Sequence, residues 1–154
     1  MTMCEVFLGL GQERLGQMLS RISLGKLRTY RMFDAVRIRL HLGKMNQEAL
    51  KKVAPKLWPR LEANEEDLAS DLAQAILVSH LDMIIAVLDQ LGVPHQDGFF
   101  DKDADVGSFL TQGWQDRAYA AFCEKYPASV LLFYLNHLAH EMDENAPLYR
   151  PRVN

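Results

Sequence analysis

The chain has 154 residues, 24% charged and 49% apolar, with a net charge of −3. That is enough for one domain with a real core, at the composition of an ordinary globular protein. No apolar run approaches the roughly 20 residues of a membrane span, and the start MTMCEVFLGLG has no basic region before its short apolar run at 6–8. Cys4 and Cys123 form no CxxC and have no Cys or His at ligand spacing, so both read as reduced thiols and the expected compartment is the cytoplasm.

The net charge hides a strong polarity. Residues 14–60 hold 12 Lys and Arg against two acids, Asp34 and Glu48, a balance of +10. Residues 61–154 hold 16 acids against five basic residues, a balance of −11, and the first 13 residues add −2. A chain with oppositely charged halves invites a charged partner or pairing between the halves.

Taken in order, residues 4–10 are a short apolar run that fits coil, strand or a helix start. Leu15, Met18, Leu19 and Ile22 then give a helical stripe. The string GLGQERLG is no dinucleotide fingerprint, because its glycine spacing is wrong and no βαβ pattern surrounds it. Ser23 can cap a helix over 24–42, closed by Gly43. Within that span, Val36, Ile38, Leu40 and Leu42 alternate with Arg37, Arg39 and His41, a strand pattern. Composition favours helix for 36–42, and the strand alternative stays open.

Asn46 caps the next helix, whose apolar face is Leu50, Val53, Ala54, Leu57, Trp58 and Leu61. Pro55 removes one hydrogen bond and crowds the preceding turn, so this helix is expected to kink or break there. The stretch 64–91 then reads as one long helix. Asn64 is its expected N-cap, Glu65, Glu66 and Asp67 suit the helix dipole, and Gly92 with Pro94 ends it. Apart from one stripe of Asp71, Asp82 and Asp89 it is nearly all apolar, so it is expected at the centre of the fold.

A loop follows, with turn signals at Pro94 and at Asp97 and Gly98. Asp105 or Ser108 is expected to cap a helix reaching Tyr126, with Gly113 inside it. Pro127 opens a last helix to about Met142, and the tail 145–154 is expected to be irregular and exposed. No repeat and no family motif is found. The expected fold is therefore all-α: a single helical domain over 1–154, an irregular bundle of five or six helices around the helix at 64–91.

Three kinds of chemistry can be read from these residues. His80 lies among Ile76, Leu77, Met83, Ile84 and Val87, which favours a buried neutral imidazole. The last helix carries HLAHE, with His137, Glu141 and Glu144 on one face at one-turn spacing and His140 beside them. Imidazole and carboxylate at that spacing could hold a transition metal (Zn, Fe or Mn), with His80 joining if the helices are neighbours. The spacing matches neither HExxH nor the ExxH of di-iron bundles. Asp101, Asp103 and Asp105 resemble the start of a calcium loop, but no Glu closes it. Finally, Arg28, Arg31 and Arg39 share one quadrant of a helical wheel, and Lys51, Lys52 and Lys56 cluster on the next helix. They could track the phosphates of RNA or DNA, although few aromatics accompany them and the acidic half opposes a polyanion.

Function classes follow in order. First is a helical interaction or scaffold protein, self-associating as a homodimer through its charge halves. Second is a nucleic-acid binder using 14–60. Third is a metal-binding bundle or metalloenzyme using His80 and the HLAHE segment. No catalytic set is found, which leans against an enzyme, and no membrane association is expected.

Overall fold

The computed structural model describes residues 1–33, 46–101 and 103–152, with the side chains of Gln47 and Lys51 left out. The alternating stretch 36–42 lies outside them. Among the described residues the protein is all-helical, without a strand. No single helix among them is long and apolar enough to cross a membrane. The chain divides into two compact units, Met1–Ser79 and His80–Asn154.

The first unit begins with α1 (Met3–Leu10), which resolves the ambiguous apolar run as a helix. Thr2 and Glu5 form a reciprocal capping box: the Thr2 hydroxyl accepts from the Glu5 N–H at 3.2 Å, and the Glu5 carboxylate from the Thr2 N–H at 2.6 Å. The TMCE string is a legible helix start, missed beside the apolar residues after it. Gly11, at φ +96°, joins α1 to α2 (Gln12–Leu19). The stripe of Leu15, Met18, Leu19 and Ile22 is buried as its spacing predicts.

Ser23 caps α3 (Leu24–Thr29), accepting from the Lys26 N–H at 3.3 Å. This helix stops thirteen residues short of the expected end at 42. The Arg31 and Met32 N–H groups close its C-terminus on the carbonyls of Arg28 and Leu27, with Arg31 in the left-handed region at φ +51°. That is a Schellman turn with an arginine where glycine is usual.

The expected break at Pro55 is present. Asn46 caps α4 (Gln47–Lys51), its side chain accepting from the Ala49 N–H at 2.8 Å, and α5 (Ala54–Glu62) begins separately with Pro55 in its first turn. A proline lacks the N–H that would continue the earlier helix, but the first turn needs none. The apolar face survives the break: Leu50, Val53, Ala54, Leu57 and Leu61 are all buried.

Asn64 does not cap the helix that follows. It sits in the left-handed region at φ +62° and ends α5, with its N–H on the Leu61 carbonyl and the Glu65 N–H on the Arg60 carbonyl. Asparagine tolerates both roles, and the preceding helix claimed it. The next helix, α6 (Glu66–Val78), has Glu65 at its N-cap position and no side-chain cap. It packs against α1, α3 and α5.

The expected long helix is two. Helical geometry stops at Ser79 and His80, where His80 has φ −133° and ψ 39°, and α7 (Leu81–Leu91) begins the second unit. The Ser79 hydroxyl donates back to the Ala75 carbonyl at 2.8 Å and accepts the Ser23 N–H at 3.0 Å. That tie to a residue 56 positions away has no local signal. The expected stop holds: Gly92 is left-handed at φ +75°, and the Val93 N–H reaches the Leu88 carbonyl.

The helix expected from Asp105 or Ser108 to Tyr126 is shorter. A 3₁₀ turn at Gly107–Phe109 precedes α8 (Trp114–Phe122), and Gly113 is left-handed at its N-cap rather than inside it. Pro127 leads into α9 (Ala128–Met142) as expected. α8 packs against both α7 and α9. α9 is buried continuously from Ser129 to Asn136, more completely than either half of the expected central helix.

The tail after α9 is irregular as expected, but it is tied down. Buried Asn136 donates through Nδ2 to the Tyr149 carbonyl at 3.1 Å and accepts the Tyr149 N–H at 2.7 Å. The Tyr149 hydroxyl donates to Asp116 at 2.9 Å, and its ring stands edge-on to Tyr119.

Candidate functional site

The polar face of α9 carries three of the four metal candidates. His137 and Glu141 are one turn apart, with Nε2 3.5 Å from the carboxylate. The His137 ring stacks on Phe133 at a centroid distance of 6.0 Å, and only 13% of its side chain is exposed. Burial, assisted by the neighbouring His140, lowers its pKa to about 4, so the imidazole is neutral near pH 7. Tyr134, one turn earlier, is buried, and burial with the Glu141 charge pushes its phenol well above the usual range. Three buried atoms here, the Tyr134 hydroxyl and Nδ1 of His137 and His140, have no hydrogen-bond partner among the described residues.

His80, the fourth candidate, is at the start of α7 rather than inside a continuous helix. It is half-buried, less than its apolar neighbours imply, although Nε2 is shut off from solvent. Among the described residues no group of three or more His, Cys, Asp or Glu side chains is placed to hold a metal ion. The α9 face is thus a half-buried polar strip, its neutral His137 imidazole beside the exposed Glu141 carboxylate, with buried groups able to accept and donate hydrogen bonds.

The basic candidates lie in the first unit. Arg28 and Arg31 are exposed on either side of Tyr30, at the closed end of α3. Lys52 and Lys56 are exposed on the turn before α5 and on its first turn. Arg39 and the Lys51 side chain fall outside the description.

Two further features lie outside those candidate residues. The Glu66 carboxylate accepts the N–H groups of Met3 and Cys4 at 3.1 and 2.9 Å, stabilising the N-terminus of α1 across 62 residues of sequence. Burial opposes its ionisation, but the bonds from Cys4, Thr2 and Met3 outweigh burial and lower its pKa. The same burial, with the carboxylate beside it, pushes the Cys4 thiol up to about 12, leaving it unreactive.

The second feature is the turn after α7. The N–H and C=O of Gln96 and Phe99 pair at 2.7 and 3.0 Å, with Asp97 at φ +51° and Gly98 at φ +89° between them. Positive φ at both central residues makes this a tight turn of the type I′ kind. His95 braces it, Nε2 donating to Asp89 at 2.8 Å and Nδ1 accepting the Gly98 N–H at 3.1 Å. A Cβ on Gly98 would lie 3.3 Å from Ile84, so the turn sits directly on α7. It presents Phe99, 54% exposed, in a stretch of sequence whose acids Asp97, Asp101, Asp103 and Asp105 are exposed as well. The dipeptide Asp97 and Gly98 announced the turn, but not the exposure of the aromatic beside it. Comparison with family models, with curated proteins and with solved structures finds no match to this chain.

Proposed function

We propose that this is a helical interaction protein that associates with itself, the basic segment 14–60 of one copy facing the acidic half of another. The observation that carries this reading is the segregation of charge along the chain, +10 over 14–60 against −11 over 61–154. Its cations Arg28, Arg31, Lys52 and Lys56 are exposed, as are the acids Asp82, Asp89, Asp97, Asp101, Asp103 and Asp105. Complementary surfaces of this kind steer encounter and fix register, and a two-fold arrangement satisfies both halves of each copy at once. Salt weakens such an attraction, because the screening length falls to about 8 Å at physiological ionic strength.

Light scattering at low salt tests this. The expected mass is twice the 17.6 kDa of one chain, falling toward the monomer as salt rises. A monomer at every protein concentration in low salt overturns the reading. The exposed arginines and lysines also favour a second reading, binding of RNA or DNA, which predicts a salt-dependent gel shift from a monomeric protein.

A further inference from the structure

The tail that follows α9 is held the way a bound peptide is held. The segment 147–152 runs without helix or turn, and no residue from 143 to 152 is buried, so it adds little to the core. Pro147 and Pro151 flank its centre and keep it out of helix. Yet Asn136, 1% exposed on α9, commits its amide to this surface segment, donating to the Tyr149 carbonyl at 3.1 Å and accepting the Tyr149 N–H at 2.7 Å. An amide used in this way reads a peptide backbone as a neighbouring strand would. On α8 the exposed Asp116 accepts the Tyr149 hydroxyl at 2.9 Å, and the Tyr119 ring meets the Tyr149 ring edge-on with centroids 6.4 Å apart. Bonds that do not involve the tail hold this seat in shape. Asn136 also donates to the Leu132 carbonyl at 2.9 Å, and Gln115 of α8 donates through Nε2 to the Leu135 carbonyl of α9 at 3.4 Å.

We propose that this face of α8 and α9 is a peptide-binding site for a partner protein, and that the chain's own tail fills and guards it. The ligand is a non-helical segment with the chemistry of the tail: a tyrosine between two prolines, with arginine following. Such a segment remakes each bond of the tail in kind, so no polar group of the seat is left unpaired. The backbone bonds to Asn136 give affinity whatever the side chain, and Asp116 with Tyr119 selects tyrosine. Arginines suit the surroundings, since Arg150 and Arg152 are two of only five basic residues over 61–154, against 16 acids. Residues 143–146 form the hinge of the tail, closed by the Asn145 and Ala146 N–H groups on the side chain and carbonyl of Asp143, each at 2.9 Å. A hinge this short holds the tail at roughly millimolar effective concentration, so an outside segment must bind well enough to displace it. All of these residues belong to the second unit, and the site does not depend on self-association, so a monomeric protein leaves it standing.

A full chain with a protease site inserted between Ala146 and Pro147 tests this. It folds with its tail in place and is then cut, and a fluorescent peptide of the tail sequence PLYRPRVN is added in excess. In the cut chain the peptide is expected to replace the severed tail one for one, read by fluorescence anisotropy, with helical circular dichroism unchanged. The uncut chain is expected to bind it about tenfold more weakly or worse, because its own tail competes. As a competitor, the same peptide with Tyr149→Phe should be weaker by about tenfold, and that difference should vanish in a cut chain carrying Asp116→Ala. If the insertion prevents folding, the uncut variants Tyr149→Phe and Asp116→Ala serve instead, each expected to admit the peptide severalfold better than wild type. Equal uptake by cut and uncut chains, loss of helix on cutting, or indifference to the tyrosine hydroxyl overturns the site. A mass in high salt that is doubled only while the tail is attached shows tails exchanging between copies and overturns a foreign occupant.

Discussion

At His137 a single residue carries a pH dependence. Its folded-state pKa, lowered to about 4 by burial and then by His140, lies below the ordinary value of 6.5. The unfolded chain therefore binds this proton first as pH falls, and stability drops between about 6.5 and 4. Integrated over that window the loss is roughly 3 kcal/mol. Urea unfolding of wild type and His137→Gln across pH 4 to 7.5 should show a shallower slope in the variant; parallel curves would sink the assignment. Asn136 makes a different kind of prediction. Its amide fills both backbone hydrogen bonds of Tyr149 and also donates to the Leu132 carbonyl at 2.9 Å. Asn136→Ala should cost about 2–3 kcal/mol, because buried partners are left unsatisfied. Faster amide exchange at Tyr149, with α1 unaffected, would identify the loss as release of the tail.

At the scale of elements, each turn or helix end depends on a few specific atoms. Gly98 combines φ +89° with an Ile84 methyl 3.3 Å from where a Cβ would be. Gly98→Ala strains the turn and crowds α7, so a loss of about 1–2 kcal/mol is expected in thermal or urea unfolding. An unchanged midpoint would show that the turn does not need its left-handed glycine. The N-terminus of α1 leans on Glu66, whose carboxylate accepts two of its free N–H groups. Glu66→Gln keeps the shape but loses the charge and one acceptor, for an expected loss of about 1–2 kcal/mol. In wild type that contribution should fade as pH drops through the lowered pKa of Glu66, and in the variant it should be absent.

On the scale of the whole molecule, sequence order and charge order coincide. Exposed cations occupy the first unit near α3 and α5, and the second unit carries the acidic turn after α7. The self-association proposed from this makes mass a function of ionic strength. The magnitude should follow the number of charge pairs screened, so replacing the exposed Lys52 and Lys56 with glutamine should lower the salt concentration at which the dimer dissociates. A midpoint that does not move would mean that these exposed cations take no part in association.

Periodicity and capping determined much of the fold without any tertiary information. The all-α class, the caps at Ser23 and Asn46, the break before Pro55, the stop at Gly92 and the turn at Asp97 and Gly98 are all written in a few adjacent residues. Each is a local event, decided by one side chain's reach or one ring's sterics. Tertiary structure decided what two distant segments share. The apolar run 64–91 is continuous in sequence, yet Ser79 meets the Ser23 backbone and helical geometry stops there. Asn64 fits a cap or a left-handed helix end equally well, and only packing chose the second. α9 is buried continuously from Ser129 to Asn136, and the His137 ring beyond that run is mostly covered too, so His137 turns neutral. The exposure of Tyr30 and Phe99 was hidden for the same reason, since a sequence shows which side chains prefer to leave water but not which ones find cover.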